Sequence, residues 1–251
     1  EIEQFNLDRR ETDKQITNEA LQLIKDDKEE EKMTTIVFKD TWHKGVIGIV
    51  ASRLIETYHR PTIVFTKSGD FLAASARSIP GFDIYNALES CSEHIEQFGG
   101  HKYAAGLTIR LENYEAFKEA FEYEVSKTIN LAYMTPEAKV DASIDLGQID
   151  QKLWRILKQF APFGPGNMSP IFMSDNLKDT GFGKCVGEDL KHLRMTLTQS
   201  GGTPIPGIGF SLGDKLNIIS NHKLFKAIYS IDENHWQGNI TLQLKIKDIK
   251  P

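Results

Sequence analysis

Phe98-Gly99-Gly100-His101-Lys102-Tyr103-Ala104-Ala105-Gly106 is the stretch from which the rest of the chain is read. Three glycines, two alanines and one histidine in nine residues make a poor helix and a poor strand, so it reads as a glycine-rich loop. Glycine admits backbone angles closed to other residues and lets a ligand come close to the main chain. A histidine in such a setting can donate to an oxyanion or a phosphate. The plainer reading is a tight loop with a partly buried, hydrogen-bonded histidine, and its company decides between the two.

Upstream, residues 7–28 have Ile16, Ala20, Leu23 and Ile24 at helical spacing. The run Asp26-Asp27-Lys28-Glu29-Glu30-Glu31-Lys32 that follows reads as a solvated turn. Ile36-Val37-Phe38 is the continuous apolar run of a buried strand within residues 34–39. A helix is expected from Gly45 to Tyr58, a second buried strand from Pro61 to Thr66, and an antiparallel return from Phe71 to Ser78. Asp83 is placed to cap a helix to about Ile95, Leu107 to Leu111 has strand character, and Asn113 caps a strongly helical stretch to about Ile129. Helices interleaved with strands imply a mixed α/β sheet covered by helices.

The character changes near Tyr133-Met134-Thr135-Pro136. A strand near residues 139–144 leads to a helix from Ile149 to Phe160, and Ala161-Pro162-Phe163-Gly164-Pro165-Gly166-Asn167 cannot continue it. Short β runs follow at residues 171–173, 192–198, 205–210, 225–231 and 240–246, with Leu242, Leu244 and Ile246 on one face opposite Gln243 and Lys245. About five short strands and one helix suggest a mostly β barrel, with the OB-fold as the leading candidate. The division expected is 1–32 for a connecting helix and acidic turn, 33–132 for the α/β domain and 133–251 for the barrel.

At 251 residues the chain has room for two domains with real cores. No apolar run approaches the roughly 20 residues that span a bilayer, and Cys91 and Cys185 fit no C-x-x-C pattern, so a cytoplasmic setting is expected. The net charge of −5 does not advertise a nucleic-acid partner. The halves differ, however: residues 1–130 carry 16 Lys+Arg against 23 Asp+Glu, and residues 131–251 carry 14 against 12. The start at Glu1, without a methionine, suggests a piece of something longer.

Three stretches of the first half suit one anionic ligand together. Trp42-His43-Lys44-Gly45-Val46-Ile47-Gly48 opens a helix, whose N-terminus offers unpaired N–H groups and a positive dipole end. Ala74-Ser75-Ala76-Arg77-Ser78 sets two hydroxyls around a guanidinium that matches phosphate oxygens. The glycine-rich stretch with His101 is the third. The bland alternatives are that His43 braces its helix, Arg77 pairs with an acidic neighbour, and the serines serve turns. The seven histidines are scattered, without H-E-x-x-H or metal-ligand spacing, and no G-x-S-x-G, Walker A or G-x-G-x-x-G pattern appears, so no hydrolytic machinery is evident.

Residues 42–54, Ser75-Ala76-Arg77-Ser78 and Gly99-Gly100-His101-Lys102-Tyr103-Ala104-Ala105-Gly106 resemble, in this order, the DHHA1 domain of the DHH phosphoesterase superfamily. With residues 161–167, Lys191-His192-Leu193 and Asn234-His235-Trp236-Gln237-Gly238, the chain is most similar to the bacterial RecJ family of single-strand-specific 5′→3′ DNA exonucleases. The resemblance implies a DHHA1 domain followed by an OB-fold-like single-strand-binding domain, acting in DNA repair and recombination. It also implies a preceding DHH domain that binds two divalent metals, manganese or magnesium; none of that domain's motifs is present here. On this resemblance Ser75, Arg77, Gly100 and His101 would grip DNA phosphate, with His43 either joining them or serving structure. Lys191, Arg194 and Trp236 would follow the single strand. Single-stranded DNA and the DHH domain are then the expected partners, no metal is expected in this piece, and the alternative is a non-catalytic nucleotide- or protein-binding module.

Overall fold

The computed structural model describes residues 2–220 and 223–251, the side chains of Ile2 and Trp236 excepted. Two compact units divide the chain, Glu1–Glu137 and Ala138–Pro251. In the first, the order is α1 (Ile2–Asp26), β1 (Thr35–Phe38), α2 (Ile47–Tyr58), β2 (Thr62–Ser68), β3 (Phe71–Arg77), α3 (Ile84–Ser90), β4 (Gln97–His101), β5 (Ala104–Arg110) and α4 (Tyr114–Thr128). The strands form one sheet in the order β1-β2-β3-β5-β4. Its first pair is parallel and the rest antiparallel.

The apolar runs of β1 and β2 are continuous because both faces of those strands are buried. Val37 and Val64 face α1 and α2, where the Ile16-Ala20-Ile24 stripe meets Val50 and Leu54. Ile36, Ile63 and Phe65 face the other way, toward Phe117, Phe121 and Val125 of α4. Each fully buried phenylalanine here contributes about 1.5–3 kcal/mol of transfer free energy.

Four expectations need correction. The glycine-rich stretch is a hairpin rather than a loop: β4 is an edge strand paired with β5 from Gln97↔Thr108 to His101↔Ala104. Pairing to β3 on the far side of β5 overrides the weak strand preference of glycine and alanine. The acidic turn is not simply solvated, since Glu29 is buried against Lys32 and Lys118. The buried Arg60 guanidinium donates to the carbonyls of Glu29, Glu30 and Lys32 and so ties the turn down. Asp83 caps α3 through the amides of Tyr85 and Asn86, but α3 stops at Ser90 and a 3-10 turn takes over. Asn113 gives no side-chain cap to α4 and donates instead to the His94 carbonyl.

The second unit contains β6 (Ala142–Ser143), α5 (Gln151–Lys158), β7 (Phe172–Asp179), β8 (Lys184–Val186), β9 (His192–Gln199), β10 (Ile205–Gly209), α6 (Leu216–Ser220), β11 (Phe225–Trp236) and β12 (Asn239–Lys250). The sheet order β6-β7-β11-β12-β10-β9-β8, with β7 also pairing β9, nearly closes the sheet on itself. This is a mostly β, OB-type barrel. The sequence reading missed β8 and α6, and β11 and β12 are long strands of 12 residues each. Leu244 and Ile246 face the core as their alternation requires. A bulge at Ile228/Tyr229 then shifts the phase by one, so that Ile249 is the next buried residue of β12. In the core, the hydroxyls of Tyr229 and Ser174 lie 2.5 Å apart, and burial pushes the Tyr229 phenol up to about 12.

Candidate functional site

Strand register places the first site. Ser75 pairs with Gly106 and Gly106 with Gly99; Arg77 pairs with Ala104 and Ala104 with His101. Alternation therefore puts Ser75, Arg77, Ala104, Gly106, Gly99 and His101 on one face. The position of α2 identifies that face: a Cβ at Gly48, in its first turn, would lie 2.9 Å from Arg77 Nη2 and 3.1 Å from Ser75 Oγ. Helices α1 and α2 cover β1 and β2 on this side. Over β4 and β5, Gly99, Gly106 and His101 remain exposed. The result is a shelf floored by glycine and alanine, with Ser75 and Arg77 along one side and His101 at the far edge.

The donors on the shelf are available. Arg77 Nη1 donates to Ser75 Oγ and to the Ala76 carbonyl, each at 2.8 Å. Among the described residues no carboxylate forms an ion pair with Arg77, so the bland reading of an acidic partner does not hold. Val46, at the N-cap of α2, gives no side-chain cap; the Ile49 amide already donates to the Val46 carbonyl at 2.9 Å, so of the first turn the Ile47 and Gly48 N–H groups are left open to an anion. His101 Nδ1 accepts the Tyr103 amide at 3.3 Å, and His43 Nδ1 accepts the Gly45 amide at 3.1 Å. In the neutral rings this places the proton on Nε2, so both exposed histidines present an outward donor. Gly45 makes room for that arrangement, since a Cβ there would meet the His43 ring at 3.0 Å.

Gly100 has a different part. Its φ is +149°, and a Cβ would lie 2.3 Å from the Ala104 carbonyl oxygen, so glycine is required for the hairpin itself. Ser78 serves local structure, bonding the Ile79 and Phe82 carbonyls. Trp42 is buried; its indole donates to Glu19 of α1, and its carbonyl accepts from Thr66. Lys39, Trp42 and Gln15 together hold the Glu19 carboxyl down to about 2. The tryptophan of the Trp42-His43-Lys44-Gly45 motif thus fixes the segment that carries His43.

The barrel has its own exposed face. Arg194 lies across from Lys184 on one side and Ile208 on the other, and Ile208 pairs with Lys245. Lys184, Arg194 and Lys245 therefore form a row on the outer surface, opposite the buried Leu193, Met195, Leu244 and Ile246. Arg194 and Lys184 are like charges directly opposed, which destabilises a sheet, and neither has an ion-pair partner among the described residues. Lys245 pairs with Asp232, and Lys191 with Asp189 at 2.9 Å. Beside the row, Phe210 is 59% exposed and meets His192 edge-on. Sequence reading missed Lys184, Lys245 and Phe210. The alternation of Leu244-Lys245-Ile246 was the available signal for one of them.

Lys191, Arg194 and Trp236 do not form one cluster. Trp236 pairs with Asn239 at the β11–β12 turn, six residues along β12 from Lys245, or about 20 Å of strand. The Trp236 side chain lies outside the described residues, as does His222. Among the described residues no three His, Cys, Asp or Glu gather as a metal site. No helix among them is long and apolar enough to cross a membrane.

Comparison with known proteins agrees with this architecture. A family model for the DHHA1 domain matches residues 30–127, and one for the RecJ OB domain matches residues 140–248. The single-stranded-DNA-specific exonuclease RecJ of Haemophilus influenzae is 31% identical over 222 residues, which cover 86% of this chain and 38% of that protein. The RecJ of Escherichia coli is 30% identical over 262 aligned residues, covering all of this chain and 44% of that protein. The crystal structure of RecJ in complex with Mn2+ from Thermus thermophilus superimposes with a TM-score of 0.81 over 99% of this chain and 35% of that one. At 21% identity this last likeness is one of fold. The chain spans about two fifths of the length of the two curated relatives. It is a RecJ-like region, composed of a DHHA1 domain followed by a RecJ OB domain.

Proposed function

We propose that this region holds the substrate of a metal-dependent exonuclease specific for single-stranded DNA, working 5′→3′ in DNA repair and recombination. The observation that carries the reading is the Arg77 guanidinium. It is bonded to Ser75, has no carboxylate partner among the described residues, and sits beside an uncapped helix N-terminus at the edge of an open glycine shelf. A backbone phosphate on the shelf would receive charge-assisted bonds from Arg77 and further bonds from Ser75, the α2 amides, His101 and His43. Each bond to a charged partner is worth about 1.5–3 kcal/mol. Such contacts position a strand without reading its sequence. On the barrel, the row of Lys184, Arg194 and Lys245 would follow the backbone while Phe210 offers a stacking ring.

Divalent metals would activate water and stabilise the leaving oxygen. The described residues do not fit them: the shelf supplies serine, arginine, glycine and histidine, and among the described residues no carboxylate cluster accompanies them. On this reading, hydrolysis belongs to a DHH domain outside these residues, and the part played here is to bind, align and hold the strand.

A fluorescence anisotropy titration of the 251-residue chain with 5′-phosphorylated oligothymidylate and with a duplex tests this. Saturable binding of the single strand, stronger than of the duplex and weakening with salt, is expected. Failure to bind the single strand at low salt would overturn the proposal and favour a protein partner.

A further inference from the structure

The tip of the β4–β5 hairpin carries a feature that phosphate binding does not use. Lys102 and Tyr103 form a two-residue turn between the paired His101 and Ala104. The backbone of this turn is bonded from several sides. The Lys102 carbonyl accepts the Ile84 amide at 3.1 Å, the Tyr103 carbonyl accepts the Ser78 amide at 3.0 Å, and the Tyr103 amide donates to His101 Nδ1 at 3.3 Å. A hairpin tip with its polar backbone groups bonded in this way is a fixed mount. Yet the side chain it carries is a large aromatic left 49% exposed. Among the described residues its hydroxyl makes no hydrogen bond, and the one cation over its ring is the Lys102 ammonium, 5.6 Å from the centroid. Packing does not account for the ring, and neither does its hydroxyl.

Position supplies the account. Tyr103 follows His101 by two residues and directly precedes Ala104, the cross-strand partner of Arg77. An exposed aromatic residue is therefore mounted in the turn that joins the two shelf strands, and a ligand that joins a phosphate to a flat aromatic group within a few bonds is a nucleotide. An aromatic held rigidly in advance loses little freedom when it stacks, so more of the contact energy appears as affinity.

Building on the phosphate reading of the shelf, we propose that Tyr103 is a base-stacking residue, which receives the nucleobase of a nucleotide flanking the phosphate held by Ser75, Arg77 and His101. Every base has a flat face, so this contact is tolerant of sequence. It would set the terminal nucleotide at a fixed angle to the shelf, adding orientation to the anchoring that the phosphate provides.

The test uses the 251-residue chain as wild type, Tyr103→Phe, Tyr103→Ala and Arg77→Ala. Each is titrated with 5′-phosphorylated oligothymidylate and with strands bearing an abasic sugar at the first or second nucleotide. Tyr103→Ala is expected to weaken the intact strand by about 5- to 150-fold, the range for one stacked base. Tyr103→Phe should bind as wild type. One abasic strand should cost the wild type the same factor as Tyr103→Ala, and should cost Tyr103→Ala nothing more. If Tyr103→Ala binds the intact strand like the wild type, or weakens intact and abasic strands equally, the stacking proposal is overturned. Failure of the phosphate reading is separable, because Arg77→Ala would then leave every strand unaffected. The backbone bonds of the tip do not depend on the side chain, so an unchanged circular dichroism spectrum is expected of Tyr103→Ala.

Discussion

Gly48→Ala separates the stability of the first unit from its grip on an anion. Gly48 lies in the first turn of α2, and alanine is favoured over glycine within a helix by about 1 kcal/mol. The added methyl would lie 2.9 Å from Arg77 Nη2 and 3.1 Å from Ser75 Oγ. To regain a contact of about 3.5 Å, the end of the arginine must move by about 0.6 Å. It can do so, because the obstructing atom is the far end of a flexible side chain. The fold should therefore keep its stability or gain up to about 1 kcal/mol. Losing one charge-assisted bond from a displaced guanidinium should weaken single-stranded DNA binding by about 10- to 150-fold. Urea denaturation followed by fluorescence gives the first number and an anisotropy titration the second. Wild-type affinity in a folded Gly48→Ala protein would refute the placement of Arg77 in the grip. A loss of more than about 2 kcal/mol of stability would show instead that the Gly48–Arg77 contact belongs to the packing of the unit.

Three further outcomes follow from the structure. Gly100→Ala should cost about 3 kcal/mol or more, because φ is +149° and the new Cβ would meet the Ala104 carbonyl oxygen at 2.3 Å; thermal denaturation would register it. The Glu19 carboxyl is held down to about 2 by Lys39, Trp42 and Gln15. A depressed carboxylate contributes stability that is present above its ordinary value of 4.5 and is lost as pH falls toward 2. Glu19→Gln should accordingly flatten the acid limb of a stability-versus-pH curve across that window. Tyr229→Phe removes the hydroxyl bonded to Ser174 while that serine keeps the Ile144 carbonyl; chemical denaturation should show a loss of about 1 kcal/mol.

Much of the fold was legible because burial leaves periodic marks. Ile36-Val37-Phe38 announced a strand covered on both faces, and the spacing of Ile16, Ala20 and Ile24 announced α1. The hairpin at residues 98–106 was not legible locally. Its glycines argue against a strand, and only pairing with β3, some thirty residues away in sequence, makes β5 and then β4. The bulge opposite Ile246 and Asp248 was hidden for the same reason: it is a property of two strands in register. At the site, residue types pointed to Ser75, Arg77 and His101. They could not show that Gly100 is required by its own backbone angle, or that Gly48 is the surface against which Arg77 rests. On the barrel, the row of Lys184, Arg194 and Lys245 joins three strands that are distant in sequence, so no spacing rule could assemble it.

The most direct measurement is the affinity of the chain and of Arg77→Ala for a 5′-phosphorylated single strand across a salt series. The account predicts that the wild type binds, that its affinity falls with salt, and that Arg77→Ala is weaker by about 10-fold or more at low salt with a shallower salt dependence, by about 0.7 in slope for one lost phosphate contact. Equal affinities and equal slopes for the two proteins would contradict it.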